Sequence, residues 1–303
     1  MTMSTNFDVF LVAGDLLATF WPKSGMLCAS LRHRGAELLR RIDNLEAAKA
    51  MGSTAGIPLL YPWANRLASF GYHAGGRDVT LDPSSPLLHF DDHGLPMHGV
   101  AWGQLVWEAV EVKRDSIVAR LDWDRPDLLA VFPYRHKLQM AAALDPDALT
   151  LETTVLADHE GRVPISFGFH PYFGIPQLPR PEWRIELPVM RKLLLDARGI
   201  PTGGQGPFGP VDCALGETNF DDGFAVIDMP PTFSLSGAGR RITVTFLEGF
   251  LYAQVFAPQN KDFVALEPMT APTSALTSGQ GLHVVEPGIE FRASFRVSVH
   301  SVI

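Results

Sequence analysis

Val163-Pro164-Ile165-Ser166-Phe167-Gly168-Phe169-His170-Pro171-Tyr172-Phe173-Gly174-Ile175-Pro176 is a strongly apolar run that carries one ionisable group. Ile165, Phe167 and Phe169 alternate with Ser166, Gly168 and His170. A period of two reads as a β-strand, here with one aromatic face and one face of small or polar side chains. Pro171 has no N–H for a central ladder and biases the residue before it toward extended backbone. The strand is therefore expected to end at His170, with the imidazole at a rim and small neighbours leaving room for a ligand. With a reference pKa of about 6.5, an imidazole so placed can give and take a proton near neutral pH. The competing reading is a half-buried histidine bonded to a carbonyl.

The same grammar recurs a hundred residues later. Val264-Ala265-Leu266-Glu267-Pro268-Met269-Thr270-Ala271-Pro272-Thr273 is an apolar strand that meets an ionisable residue followed by proline, which places Glu267 at a strand terminus as well. Desolvation by so apolar a strand should raise the carboxyl pKa unless cations or donors offset it, leaving a competent base near neutrality. A salt-bridged or solvated glutamate is the alternative.

Outward from these two runs the chain is short β-type segments with turn signals between them. Val9 to Val12, Leu16 to Trp21 and Met26 to Leu31 are punctuated by Gly14, Pro22 and Gly25. Gly71 to Leu88 reads as a strand pair joined through Gly75-Gly76. Leu105 to Val112 with Ser116 to Trp123, and Tyr134 to Leu144 with Ala148 to Ala157, carry hairpin signals. Trp183 to Leu187, Lys192 to Leu195, Phe233 to Leu235, Arg241 to Leu247, Leu251 to Phe256, His283 to Val285 and Phe291 to Val299 complete the strands. Helix composition is confined to Asn44 to Met51 and one turn over Arg125 to Val131. Gly199 to Pro210 reads as a Gly/Pro-rich loop without the charge run or low-complexity tract of a domain linker. The expectation is an all-β chain with few short helices, forming a single domain over residues 1–303.

Polar residues in apolar or loop settings supply the remaining candidates. Asn65 and Arg66 follow Pro62-Trp63-Ala64, where prolines exclude a central strand. They read either as a surface turn with Arg66 paired to a carboxylate or as a hydrogen-bond fork at a pocket rim. His98 lies in the glycine-punctuated loop Asp91 to Gly103, solvated or turned to a ligand. Asp221 and Asp222 are adjacent acids at a loop-to-strand entry, and either could face inward. Gln254 shares a strand face with Tyr252 and Phe256, as a satisfied core amide or a ligand contact.

Composition narrows the partners. Of 303 residues, 46% are hydrophobic and 19% charged, enough for a large core. The formal net charge of −8, without a basic run interleaved with aromatics, argues against nucleic acid as a partner. Neither the N-terminus nor any other segment has the apolar length of a signal or a membrane span, which makes the cytoplasm the default location. Cys28 and Cys213 match no metal-ligand spacing and are expected as buried free thiols.

Together these pieces resemble the aldose 1-epimerase (galactose mutarotase) family. The matching features are Pro62-Trp63-Ala64-Asn65-Arg66, His98-Gly99, Gly168-Phe169-His170-Pro171-Tyr172-Phe173, Asp221-Asp222-Gly223-Phe224, Gln254 two residues before Phe256, and Glu267-Pro268-Met269-Thr270, in family order over residues 56–273. The resemblance implies a large antiparallel β-sandwich, the galactose mutarotase-like supersandwich, with a monosaccharide site in an open cleft. It implies His170 as general acid on the ring oxygen, Glu267 as general base on the anomeric hydroxyl, and Asn65, Arg66, His98, Asp221 and Gln254 as hydroxyl-binding groups. No cofactor is called for, because anomer interconversion involves no redox change, hydride or carbanion; monomer and homodimer both stay open. An unphosphorylated aldose is the favoured substrate, with a hexose 6-phosphate as alternative, for which Arg66 and Arg77 are the available cations. Three rivals carry their own signals. A glycoside hydrolase would need a second carboxylate, such as Asp221, opposite Glu267. A non-catalytic carbohydrate-binding protein of the same fold would lack the acid or the base. A metal enzyme would use His98, His170 and Glu267 as a facial triad.

Overall fold

Alternating apolar residues between Gly, Pro and Asp turns leave the chain little choice but antiparallel strands, and the computed structural model is built from them; it describes residues 8–45, 47–48, 54–159 and 161–301. Among these residues two large sheets dominate. One holds nine strands, in the spatial order Glu108–Val112, Ser116–Trp123, His136–Asp145, Ala148–Ala157, Glu290–Ser301, Arg240–Glu248, Thr232–Gly237, Arg184–Leu187 and Val211–Ala214. The other runs Pro201–Phe208, Met190–Leu195, Phe220–Val226, Tyr252–Ala257, Val264–Met269, Gly168–Phe169 and Leu59–Leu60, with Tyr172–Phe173 also paired to Val264–Met269. A four-stranded sheet from Val9–Ala13 to Ala36–Glu37 joins the N-terminal segments. The helices among the described residues that lie clear of 44–51 are short: Pro126–Val131, Ala275–Ser278 and two 3-10 turns. The helix expected over 44–51 falls in part outside the described residues.

Aromatic side chains join the two sheets face to face. The ring centroids of Phe169 and Phe295 are 5.0 Å apart, those of Phe250 and Phe295 5.9 Å, and those of Phe167 and Phe291 6.2 Å. Phe167, Phe169 and Phe173 are at most 1% exposed, and burying each contributes roughly 1.5–3 kcal/mol. Because side chains alternate along a strand, fixing these rings inward turns Gly168, His170 and Tyr172 to the opposite face. That outer face carries the site.

Several expectations need correction. The run from Val163 to Pro176 is not one strand but three short ones, Val163–Ile165, Gly168–Phe169 and Tyr172–Phe173, and the chain re-enters the sheet after Pro171. Glu267 does not end its strand, which continues through Pro268 to Met269. Both differences have one cause. The N–H groups of His170 and Tyr172 donate away from the Val264–Met269 strand, to the carbonyls of Pro58 (3.1 Å) and Gly56 (2.9 Å). Alternation therefore aims the nitrogen of Pro171 at that strand. Likewise the N–H of Thr270 donates to Phe167 (3.0 Å), so the nitrogen of Pro268 faces back. Pro171 stands opposite Leu266 and Pro268 opposite Phe169, so each removes one N–H from neighbouring rungs of a ladder that is already broken between Phe169 and Tyr172, and a mid-sheet proline is tolerated.

Gly199 to Pro210 is likewise strand rather than loop over Pro201–Phe208. It is the sheet's edge, where prolines and glycines leave no internal ladder unpaired. His98 sits in the strand Pro96–Val100, paired irregularly with Leu88–Phe90, rather than in a loop. Of the two free thiols, Cys28 is buried as expected, whereas Cys213 is exposed on the edge strand Val211–Ala214.

The segment 59–67 crosses the site face and is clamped to Pro96–Val100 through the bridges Tyr61 to Gly99 and Arg66 to Met97. Gly99 has φ +68°, and a Cβ there would lie 2.2 Å from the Tyr61 carbonyl oxygen. Gly99→Ala is expected to destabilise the fold by about 1–3 kcal/mol from the left-handed conformation alone, with the overlap adding to it. Urea unfolding with an unchanged midpoint would show that this clamp is not tight.

Candidate active site

The strand register brings the two strand-borne ionisable groups together. Gly168 pairs with Met269 and Tyr172 with Ala265, four residues apart on each strand, so the residue midway on one, His170, stands opposite the residue midway on the other, Glu267. Their side chains meet, with His170 Nε2 3.2 Å from Glu267 Oε1. Both are buried, at 5% and 2% exposure, so the imidazole is not at a rim. Gln254 is in register beside Glu267, and Gly223 beside Gln254. Parity then places Asp221 on the same face as Gly223, and its carboxylate accepts a 2.7 Å bond from Gln254 Nε2. Asp222 points the other way and pairs with Lys192 at 2.6 Å.

Asn65 and His98 are held by each other, both in left-handed backbone at φ 58° and 60°. The Asn65 N–H donates to His98 Nδ1 (3.2 Å) and the His98 N–H to the Asn65 carbonyl (2.9 Å). Because Nδ1 accepts, the neutral ring carries its proton on Nε2. Burial, with smaller contributions from Arg66 and His89, lowers the His98 pKa to about 3, which keeps this ring neutral. The Arg66 guanidinium donates to Asp91 Oδ2 (2.6 Å) and to Asn65 Oδ1 (3.0 Å). Burial works against the charge on Asp91, but N–H bonds from Leu95 and His93 together with Arg66 hold its carboxyl below the ordinary carboxylate range.

These groups border two cavities. The larger, about 410 Å³, has Arg40, Thr54, His89, His98, His170 and Tyr172 on its wall; the smaller, about 180 Å³, has Asn65, Arg66, Asp221 and Gln254. All seven residues expected from the sequence thus fall in one neighbourhood, with Glu267 beneath His170 and Gln254. Arg77 does not join them: it donates to the Pro133 carbonyl beside Tyr134, at a separate cavity. Sequence reasoning missed Asp91, which orients Arg66, and Tyr172, whose ring stacks on His170 with centroids 4.1 Å apart. The signal for Tyr172 was its place two residues beyond His170 on an extended chain. Among the described residues, no group of three or more His, Cys, Asp or Glu is arranged to hold a metal ion.

Desolvation sets the protonation of the central pair. Burial, and then the charge of Asp221, push the Glu267 pKa well above its ordinary value, opposed by Arg66. Burial, and then neighbouring His98, push the His170 pKa well below its own. Both shifts favour the neutral forms, a carboxylic acid and a neutral imidazole, so the pair rests with its one shared proton on Glu267 and reaches the carboxylate–imidazolium form by moving that proton across the 3.2 Å contact.

An antiparallel β-sandwich that holds a buried imidazole–carboxyl pair beside cavities of about 410 and 180 Å³ is the class of fold and site defined here, and the comparisons supply the family. A sequence model of the aldose 1-epimerase family matches residues 25–298. The chain belongs to that family. It is 24% identical to the uncharacterized protein YihR of Escherichia coli (strain K12), over 95% of this chain and 92% of the relative. Among solved structures it is similar in fold to the Slr1438 protein of Synechocystis, with TM-score 0.80, 22% identity and 99% of both chains covered. A galactose mutarotase-like protein from Clostridium acetobutylicum gives TM-score 0.84 at 17% identity, covering 97% of this chain and 95% of that one.

A carboxyl whose pKa is raised in the folded state stabilises the fold below its unfolded value, and that contribution is lost as pH rises toward the folded value. Glu267→Gln is therefore expected to gain stability relative to the wild-type protein as pH rises above the ordinary carboxyl value of 4.5. Thermal unfolding of both proteins across about pH 5 to 8 checks this; a constant gap would mean that Glu267 is already ionised in the free protein.

Proposed function

We propose that the chain acts, as one domain, as an aldose 1-epimerase that interconverts the α and β anomers of an aldohexose by opening and reclosing the ring. The observation that carries this reading is the buried His170–Glu267 contact, 3.2 Å long and bordered by neutral and charged hydrogen-bonding groups sized for hydroxyls. Opening a hemiacetal needs one proton to leave the C1 hydroxyl and another to reach the ring oxygen. In the reactive form Glu267 is the carboxylate and takes the first, while His170 N–H gives the second. The C1–O5 bond breaks, C1 becomes an aldehyde carbon, and rotation about C1–C2 presents its other face. Closure returns both protons to the groups that began with them. Each proton transfer contributes roughly 10²- to 10⁴-fold in rate.

Asn65, Arg66, His98, Asp221 and Gln254 are assigned to the sugar hydroxyls. Neutral His98 offers an N–H, the Asp221 carboxylate accepts, and Gln254 does both. An unphosphorylated aldose remains the favoured substrate. Arg66 is engaged by Asp91 and Asn65 and Arg77 lies elsewhere, which leaves Arg40 as the guanidinium on the wall of the larger cavity.

Polarimetry of freshly dissolved α-aldoses and their 6-phosphates tests the activity and the substrate together; no acceleration over buffer would favour a sugar-binding protein without catalysis. In the same assay Glu267→Gln is expected to lower kcat by roughly a hundredfold or more with binding largely kept, and near wild-type turnover would dismiss Glu267 as the base. The competent state holds one proton on the pair, so activity falls on the acid side as His170 gains a second and on the alkaline side as Glu267 loses the last. Because burial lowers the first pKa and raises the second, the acid limb is expected well below pH 6.5. A limb at the ordinary histidine value would show His170 solvated in the working enzyme.

A further inference from the structure

His170 has little besides its neighbours' rings to orient it. Its Nδ1 is buried without a hydrogen-bond partner among the described residues, although the second nitrogen of a proton-transferring histidine commonly fixes the ring. Phe256 and His98 meet it edge-on, at 80° and 84° with centroids 5.9 and 5.8 Å away. Among the described residues only Tyr172 lies flat against it, with planes 12° apart and centroids 4.1 Å apart. Positions i and i+2 of a strand are about 6.6 Å apart, so these two rings lean together.

Tyr172 is itself immobilised from three sides. Its N–H donates to the Gly56 carbonyl and its carbonyl accepts from the Arg40 N–H, both at 2.9 Å. Its hydroxyl hydrogen-bonds the Thr54 hydroxyl. The Arg40 guanidinium carbon is 5.8 Å from the centre of its ring and 5.5 Å from that of Phe263, and Phe263 meets Tyr172 edge-on at 4.9 Å. A plane anchored at both ends thus bears on a ring whose other polar contacts, among the described residues, are Glu267 and a weak one to its own backbone carbonyl.

We propose that Tyr172 is a positioning residue for His170: its fixed ring, in place of a hydrogen bond at Nδ1, keeps the imidazole turned toward Glu267 and keeps water from Nδ1. The proposal rests on the reading of His170 as the acid. Losing the plane lets the imidazole swing, and a displacement of about 1 Å can cost about a hundredfold in rate. Water admitted to Nδ1 stabilises the imidazolium, which raises the pKa.

Three variants separate the plane from the bulk. Tyr172→Met fills the volume without a plane, and is expected to lower kcat by about 10- to 100-fold with KM within about threefold. Its acid limb should move up toward the ordinary histidine value. Tyr172→Phe keeps the plane and is expected to stay within about threefold of wild type, the effect of one neutral hydrogen bond. Tyr172→Leu, a second apolar side chain without a plane, is expected to show the Tyr172→Met pattern, and it decides the matter if Tyr172→Met does not fold. The His170 titration, followed by long-range nitrogen–proton NMR of the imidazole, is read in parallel. Unmoved turnover and an unmoved His170 titration in folded Tyr172→Met, or in Tyr172→Leu where the former does not fold, would overturn the proposal. So would Tyr172→Phe being as impaired as Tyr172→Met. If the wild-type protein accelerates no anomerisation, it is the acid role that falls, and the NMR shift alone still decides whether Tyr172 holds the ring.

Discussion

The site depends on the register between two strands that lie a hundred residues apart in sequence. Core aromatics set that register: Phe167, Phe169 and Phe173 must face the nine-stranded sheet, and a slip of one residue would send them, and His170 with them, to the wrong face. With the rings fixed, His170 has one possible partner across the ladder, and it is Glu267. The prolines that follow them, Pro171 and Pro268, both withhold an N–H from the same gap. The sheet is therefore held by its apolar side and opened on its polar side at the place where two side chains have to meet.

The electrostatics follow from that placement. A carboxyl and an imidazole taken out of water each move toward their neutral forms, and a contact of 3.2 Å lets one proton serve both. Around them charge is compensated a layer further out. Arg66 is tied to Asp91, and Asp91 is held in turn by backbone N–H groups of its own turn. Asp221 is tied to Gln254. A free guanidinium beside Glu267 would draw its pKa down and hold it as an inert ion pair; engaging Arg66 elsewhere limits that pull.

Much of this was legible in the sequence because it rests on period-two alternation and on residue types with fixed chemistry. The alternation from Ile165 to His170 gave the face of the imidazole, and the recurrence of strand, ionisable residue and proline at Glu267 gave the likeness between the two runs. What alternation does not carry is pairing. Nothing local says that Pro268 sits mid-strand, because that depends on the break in the partner run after Phe169. Nothing local makes Pro201–Phe208 an edge strand, because a Gly/Pro-rich run is a loop or an edge according to what lies beside it. His98 could be suspected from its type, but its neutrality comes from burial, and its tautomer from Asn65, a neighbour thirty-three residues away.

Under the proposed activity, the direct contact between His170 and Glu267 also bears on how a sugar would be received. In the ligand-free protein each is the other's partner, which spares two buried polar groups the cost, roughly 1–3 kcal/mol for each, of having none. In the proposed reaction a monosaccharide replaces that contact with two hydrogen bonds, one from its C1 hydroxyl to the carboxylate and one to its ring oxygen from the imidazole. The exchange keeps the number of hydrogen bonds near the pair from falling, so entry need not strand either group. It also selects for ligands: a molecule able to offer a donor and an acceptor on two oxygens of one carbon, as a hemiacetal does, can take the place of the contact, whereas one offering only a single polar atom leaves one of the two buried groups unpaired.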